Sequence, residues 1–112
     1  AFAAVSHLPH LLAFAYFQSI ASQTSGRDFL SLAGPGFRDF TRIAASDPKI
    51  WRDILLSNRE EILKQSADFR EALEHLERNM RDWNGGPLQS LIQTASDARS
   101  QWQLGSKPPV SR

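Results

Sequence analysis

The chain has no cysteine, one methionine and one tyrosine among its 112 residues. Without cysteine there is no disulfide scaffold and no thiolate-held metal or cluster, which fits a reducing compartment. An excess of charge is missing too: 13 Lys and Arg stand against 12 Asp and Glu, a formal net charge of +1. A nucleic-acid binder needs a basic patch to meet the phosphates, and interspersed signs of this kind do not make one. There is no long apolar run. Residues 11–20 are the nearest approach, broken by Gln18 and Ser19 and too short to span a bilayer. No basic leader or small-residue cleavage pattern marks a signal peptide. No stretch alternates apolar and polar residues with period two, so no strand is expected. Neither nucleic acid nor membrane is expected as a partner, and a cytoplasmic location is.

What is present is helical pattern. The chain opens Ala-Phe-Ala-Ala-Val rather than with Met, and the expectation is a piece of a longer soluble protein. Up to about residue 24 apolar side chains cover almost the whole circumference of a first helix, which predicts burial on most sides, in a core or against a partner subunit. Pro9 removes a backbone hydrogen bond and predicts a kink near His7, with carbonyls freed for polar contact. After a polar break at 23–27 and one or two turns at 28–33, Gly34-Pro35-Gly36 opens a helix expected over about 35–46. Its stripe is Phe37, Phe40, Ile43 and Ala44. Asp47 is a good N-cap, and Pro48 fits the first turn of a helix running to about residue 56. Ser57-Asn-Arg-Glu60 matches a capping box for the next helix. There the apolar positions 62, 69, 73, 76, 80 and 83, with Ser66 filling the remaining slot, form a heptad seam that asks for a second helix alongside. Asn84-Gly-Gly-Pro87 ends it, and a last helix over about 88–104 is expected to return as a hairpin. The predicted fold class is all-α: one domain over 1–104 of five to six helices, with a kinked buried first helix and a long heptad-patterned one, forming a dimer. Residues 105–112 are expected to be a flexible tail or linker.

Chemistry-bearing residues are few. His7 and His10 are three apart, but zinc needs further ligands that the sequence does not offer, and a histidine donating to carbonyls freed by Pro9 is the plainer reading. His75 falls on the charged helix face. Ser6 beside His7 is not thereby a nucleophile and base within reach. No glycine-rich strand-to-helix fingerprint for a dinucleotide exists. Arg42 lies one turn after Arg38 and three residues after Asp39, so Asp39 and Arg42 are placed to pair. Residue by residue, this is a helical interaction domain with a candidate anion pocket, no metal site and no catalytic group of its own.

Two strings carry more. Gly36-Phe-Arg-Asp-Phe-Thr-Arg-Ile-Ala, followed by Ser46-Asp-Pro and Trp51-Arg-Asp-Ile, together with Val5-Ser-His-Leu-Pro-His10, resembles the C-terminal domain of the prephenate/arogenate dehydrogenase family. The match is firm over about residues 1–60. The resemblance implies a helical domain that forms a homodimer and closes the active site, with an N-terminal Rossmann domain, absent here, binding NAD or NADP. It implies oxidative decarboxylation of prephenate to 4-hydroxyphenylpyruvate in tyrosine biosynthesis, with the general-base histidine on the missing domain and this fragment alone inactive. By their places in the motifs, Arg42 resembles the arginine that binds the ring carboxylate and Asp39 the acid that positions it. His10 resembles the histidine lining the substrate cavity, with His7 in the same motif. Gly36 resembles the glycine whose backbone approaches the substrate, and Trp51 the tryptophan that reaches the pocket from the neighbouring subunit. Prephenate is a dianion, and guanidinium forks are suited to its carboxylates. The competing readings are a helical oligomerisation or adaptor domain without a substrate, and the equivalent domain of an arogenate dehydrogenase.

Overall fold

The computed structural model describes residues 1–102. All regular structure there is helical. A π-helical turn (Ala3–His7) leads into α1 (Leu8–Ala21). Then come α2 (Gly26–Ser31), α3 (Pro35–Thr41), a 3-10 turn (Arg42–Ala44), α4 (Pro48–Ser57), α5 (Arg59–Arg81) and α6 (Gly85–Gln101). The all-α class is therefore as the pattern predicts; the tail expected over 105–112 lies outside the described residues. The helices fall into two compact units, Ala1–Asp68 and the part beginning at Phe69.

In the first unit the kink expected from Pro9 takes a definite form. The Leu8 N–H bonds to the Ala3 carbonyl, five residues back, and α1 starts afresh with Pro9 in its first turn. A proline there lacks only an N–H that would have had no helical partner. The widened turn thus accommodates Pro9 without breaking the rod. Against α1 pack the residues of α3: Tyr16 meets Phe37 and Phe40 edge-on at 5.3 and 5.2 Å, and Phe17 lies 5.8 Å from Phe37. Such tilted pairs add to plain area burial, because ring edges are positive and ring faces negative. The apolar circumference of α1 is nevertheless only partly covered. Ala3, Leu8 and Ala13 are buried, whereas Phe2 and Val5 remain 74 and 73% exposed.

Gly26 is the tightest point. It is buried where α2 turns back on the end of α1, and a Cβ there would sit 2.6 Å from the Ile20 oxygen and 2.7 Å from that of Ala21. Both obstacles are backbone, which cannot swing aside. Gly26→Ala is expected to destabilise the chain by about 2 kcal/mol, the range for overpacking a tight site, read as a lower urea midpoint; an unchanged midpoint would contradict this packing.

Several boundaries differ from the pattern: α6 begins at Gly85, so Gly85, Gly86 and Pro87 form its first turn rather than a linker before residue 88. The helix expected over 35–46 stops at Thr41 and tightens into the 3-10 turn. Ser57 does not cap α5. It ends α4, with its hydroxyl donating to the Ile54 carbonyl at 3.2 Å, and the break falls on Asn58. A serine hydroxyl can bond backward to its own helix as readily as forward to the next, and here the backward bond wins. Asp47 caps α4 as expected, its Oδ1 accepting from the N–H groups of Lys49 and Ile50 at 2.9 and 3.1 Å.

α5 carries the heptad stripe to its end; Ile62 and Ser66 at its start are buried and Leu76 is half-buried, but among the described residues the rest of the stripe is left open. Phe69 is 38%, Leu73 44% and Met80 62% exposed, and on α6 Ile92 is 55% exposed. Leu88 and Leu91 of α6 are half-buried, so the returning helix covers the seam only in part. The turn itself is made by Trp83, at φ 56°, rather than by the glycines that follow. That left-handed region disfavours a bulky side chain, and the ring is 93% exposed.

Candidate functional site

The first unit brings the two motifs together. α1 presents His10 and α4 presents Trp51, and their rings stack at 3.6 Å between centroids with 14° between planes. Phe14, one turn beyond His10, meets the same indole edge-on at 6.4 Å. His7, one turn before, meets it edge-on at 6.0 Å. The i, i+3, i+4 spacing on one face of a helix is what aligns these three side chains on a single tryptophan. The resemblance assigns Trp51 to the neighbouring subunit's pocket; here it lies on His10 of its own chain.

Backbone and side-chain hydrogen bonds hold both imidazoles. His10 Nδ1 donates to the Ser6 carbonyl at 3.1 Å, the carbonyl contact that a helix disturbed by Pro9 predicts. The Asn58 amide nitrogen donates to His7 Nδ1 at 3.3 Å. No buried side-chain nitrogen or oxygen among the described residues lacks a partner.

Beside the indole lies an open cleft of about 410 Å³, lined by Phe14, Ala44, Ser46, Pro48, Trp51, Arg52 and Leu55. Aromatic walls with one guanidinium and one hydroxyl suit a small ring-bearing anion. Nothing in the sequence singles out Arg52, although it follows Trp51 in the motif; it pairs with neighbouring Asp53 at 2.9 Å. Nor is Asn58 singled out.

Arg42 opens the 3-10 turn that packs on α1, and its side chain is exposed. Its expected pairing with Asp39 is not formed. Asp39 lies 3.6 Å from Arg38, both about three-quarters exposed, while among the described residues no carboxylate is within ion-pairing distance of Arg42. Asp39 is turned toward its sequence neighbour Arg38 instead, so the i, i+3 spacing alone does not make the pair. Exposed adjacent charges such as Arg38 and Asp39 contribute little, so Asp39 is not committed to that contact. Gly36 has φ and ψ that need no glycine, and a Cβ there would meet nothing within 4 Å. Nothing within the chain asks for a glycine at 36.

The fold and this arrangement of rings define an all-helical domain with an aromatic wall beside an open cleft. Residues 1–94 match the family described as "Prephenate dehydrogenase, dimerization domain", and the chain belongs to that family. The prephenate dehydrogenase of Bacillus subtilis is 33% identical over 111 residues, covering 95% of this chain and 29% of that protein. Among solved structures, the arogenate dehydrogenase of Synechocystis superposes with a TM-score of 0.84 at 27% identity, over 92% of this chain and 38% of its own. The prephenate dehydrogenase of A. aeolicus, in complex with hydroxyphenyl propionate and NAD+, gives 0.83 at 37% identity, over 89% and 35%. The chain thus spans about a third of the length of these proteins.

Proposed function

We propose that this chain is the substrate-holding and dimer-forming part of an enzyme that oxidatively decarboxylates prephenate to 4-hydroxyphenylpyruvate, using NAD or NADP, in tyrosine biosynthesis. The observation that carries the reading is the stack of His10 on Trp51, which joins residues from two separate motifs into one aromatic pocket wall. Arg42 supplies a guanidinium without a carboxylate partner for the ring carboxylate, and Asp39 stands ready to orient it once substrate is bound. Gly36 leaves room for ligand against the backbone. His7 lines the same wall. Trp51, held on His10, serves a composite site at the subunit boundary, and the partner is a second copy of the same polypeptide.

No strand occurs among the described residues, so they do not build the strand–turn–helix cradle that takes a dinucleotide's pyrophosphate. Nicotinamide binding, and the general base, are assigned to the part of the enzyme outside this chain. What these residues do is bind, orient and desolvate the dianion. The Synechocystis neighbour, named an arogenate dehydrogenase, supports arogenate as the second substrate to test. A complete enzyme carrying this domain, assayed with prephenate and arogenate against NAD and NADP in turn, is expected to turn over prephenate. Activity on arogenate alone would reassign the substrate, and activity on neither would favour a purely oligomerising domain.

A further inference from the structure

Asn58 belongs to neither motif. It sits between α4 and α5, where φ −118° and ψ 28° separate one helix from the next. Its side chain reaches His7, 51 positions earlier, at 3.3 Å, and both groups are partly buried. An amide nitrogen only donates, so this contact occupies the lone pair of His7 Nδ1 and leaves the ring proton of the neutral imidazole on Nε2. His10 is held the opposite way. Its Nδ1 bonds to the Ser6 carbonyl, which only accepts, so the proton sits on Nδ1 and the neutral ring's Nε2 is bare. Both rings touch Trp51, one by its edge and one by its face.

The geometry points to Asn58 as a positioning residue that fixes His7 as an N–H donor beside His10 as an acceptor. Resting on the reading of both histidines as pocket residues, the pair gives the wall one donor and one acceptor, and His7 Nε2–H is the group that meets a carboxylate oxygen of the ligand. Asn58 touches no ligand itself. It acts through the tautomer of His7.

The chain has only three histidines, so long-range proton–nitrogen correlation on histidine labelled with nitrogen-15 reads each tautomer directly, at a pH well above the ordinary imidazole range. His7 is expected as the Nε2–H form and His10 as Nδ1–H, with exposed His75 as the internal reference. Asn58→Asp places an acceptor-only group against His7 Nδ1 and is expected to invert His7 to Nδ1–H while leaving His10 unchanged. A loss of side-chain packing alone would not reverse one ring and spare the other. His7 already in the Nδ1–H form in the unaltered chain would overturn the inference, whether or not the variant folds. So would a His7 that ignores Asn58→Asp in a variant whose His10 signal is intact. In the complete dehydrogenase, Asn58→Asp is expected to raise KM for prephenate about tenfold and leave KM for the nucleotide unchanged. An unchanged KM for prephenate beside a raised one in Arg42→Ala would overturn the inference and leave the substrate reading standing.

Discussion

Replacing Trp51 by alanine in a complete enzyme that carries this domain is expected to raise KM for prephenate about 10- to 100-fold, equivalent to about 1.4 to 2.7 kcal/mol. The indole is the common surface on which His7, His10 and Phe14 rest, stacked on the second at 3.6 Å and edge-on to the others. Removing it takes away aromatic contacts beyond mere area burial and frees His10 to leave the wall, although the Ser6 carbonyl still holds its Nδ1. The nucleotide should be unaffected, since no dinucleotide cradle exists among the described residues. Trp51→Phe keeps a ring on His10 and is expected to recover part of the loss. Equal losses for substrate and nucleotide in Trp51→Ala would instead indicate general unfolding, a result that steady-state kinetics with each ligand varied in turn would reveal.

The second large effect concerns assembly. Leu73 and Met80 lie on the α5 stripe, 44 and 62% exposed in the single chain, and the match to a dimerization-domain family makes a second copy their natural cover. The double substitution Leu73→Glu with Met80→Glu puts two carboxylates into that apolar seam, where desolvation without partners is costly. The dimer dissociation constant is expected to rise at least about 100-fold, or about 2.7 kcal/mol. Light scattering on a sizing column across a tenfold dilution checks it: the unaltered chain should hold the mass of a dimer and the variant that of a monomer. A monomer in both would show that this stripe is not the subunit contact. The variant's helix should lose little helicity in the process, because both positions are already about half open to solvent in the single chain.

How legible the fold was depends on whether neighbours along the chain decide it. The heptad stripe of α5 stands out because charged residues fill the opposite face, and the Asp47-Pro48 start of α4 is encoded within two residues. α1 is the contrary case. It is apolar all round, so its sequence does not say which line, Ala3, Leu8 and Ala13 as it proves, faces inward. Ser57 satisfies the pattern of a cap, yet its hydroxyl has an equally close acceptor behind it in Ile54, and only the finished backbone decides. Asp39 and Arg42 satisfy an i, i+3 spacing, but spacing only permits a pair, and exposed Asp39 has Arg38 beside it as an alternative. Gly26 reads as one more residue of a polar break, since the oxygens that forbid a side chain belong to the preceding helix end and depend on how sharply the chain doubles back.

The site divides along the same line. His7, His10, Gly36, Arg42 and Trp51 are proposed for it from their places in the motifs; Arg52, though it follows Trp51 in the same motif, and Asn58, outside both, are not. Arg52 looks like an ordinary charged partner for Asp53, and Asn58 like a helix boundary. Their bearing on the pocket arises only when α4 is laid across α1, a contact between segments some forty to fifty residues apart that no local spacing announces. That same crossing is what turns two separate strings of residues into a wall with a cleft beside it.

The claim at the centre of this account is that Arg42 receives a carboxylate of the substrate, and the KM for prephenate of Arg42→Ala in the complete enzyme tests it most directly. A charge-assisted contact of this kind is worth on the order of 2–4 kcal/mol. KM should therefore rise by roughly 30- to 1,000-fold with the nucleotide KM unchanged, and Arg42→Lys should recover only part of the loss because a point charge cannot replace a two-pronged fork. An unaltered KM for prephenate in Arg42→Ala would contradict the account.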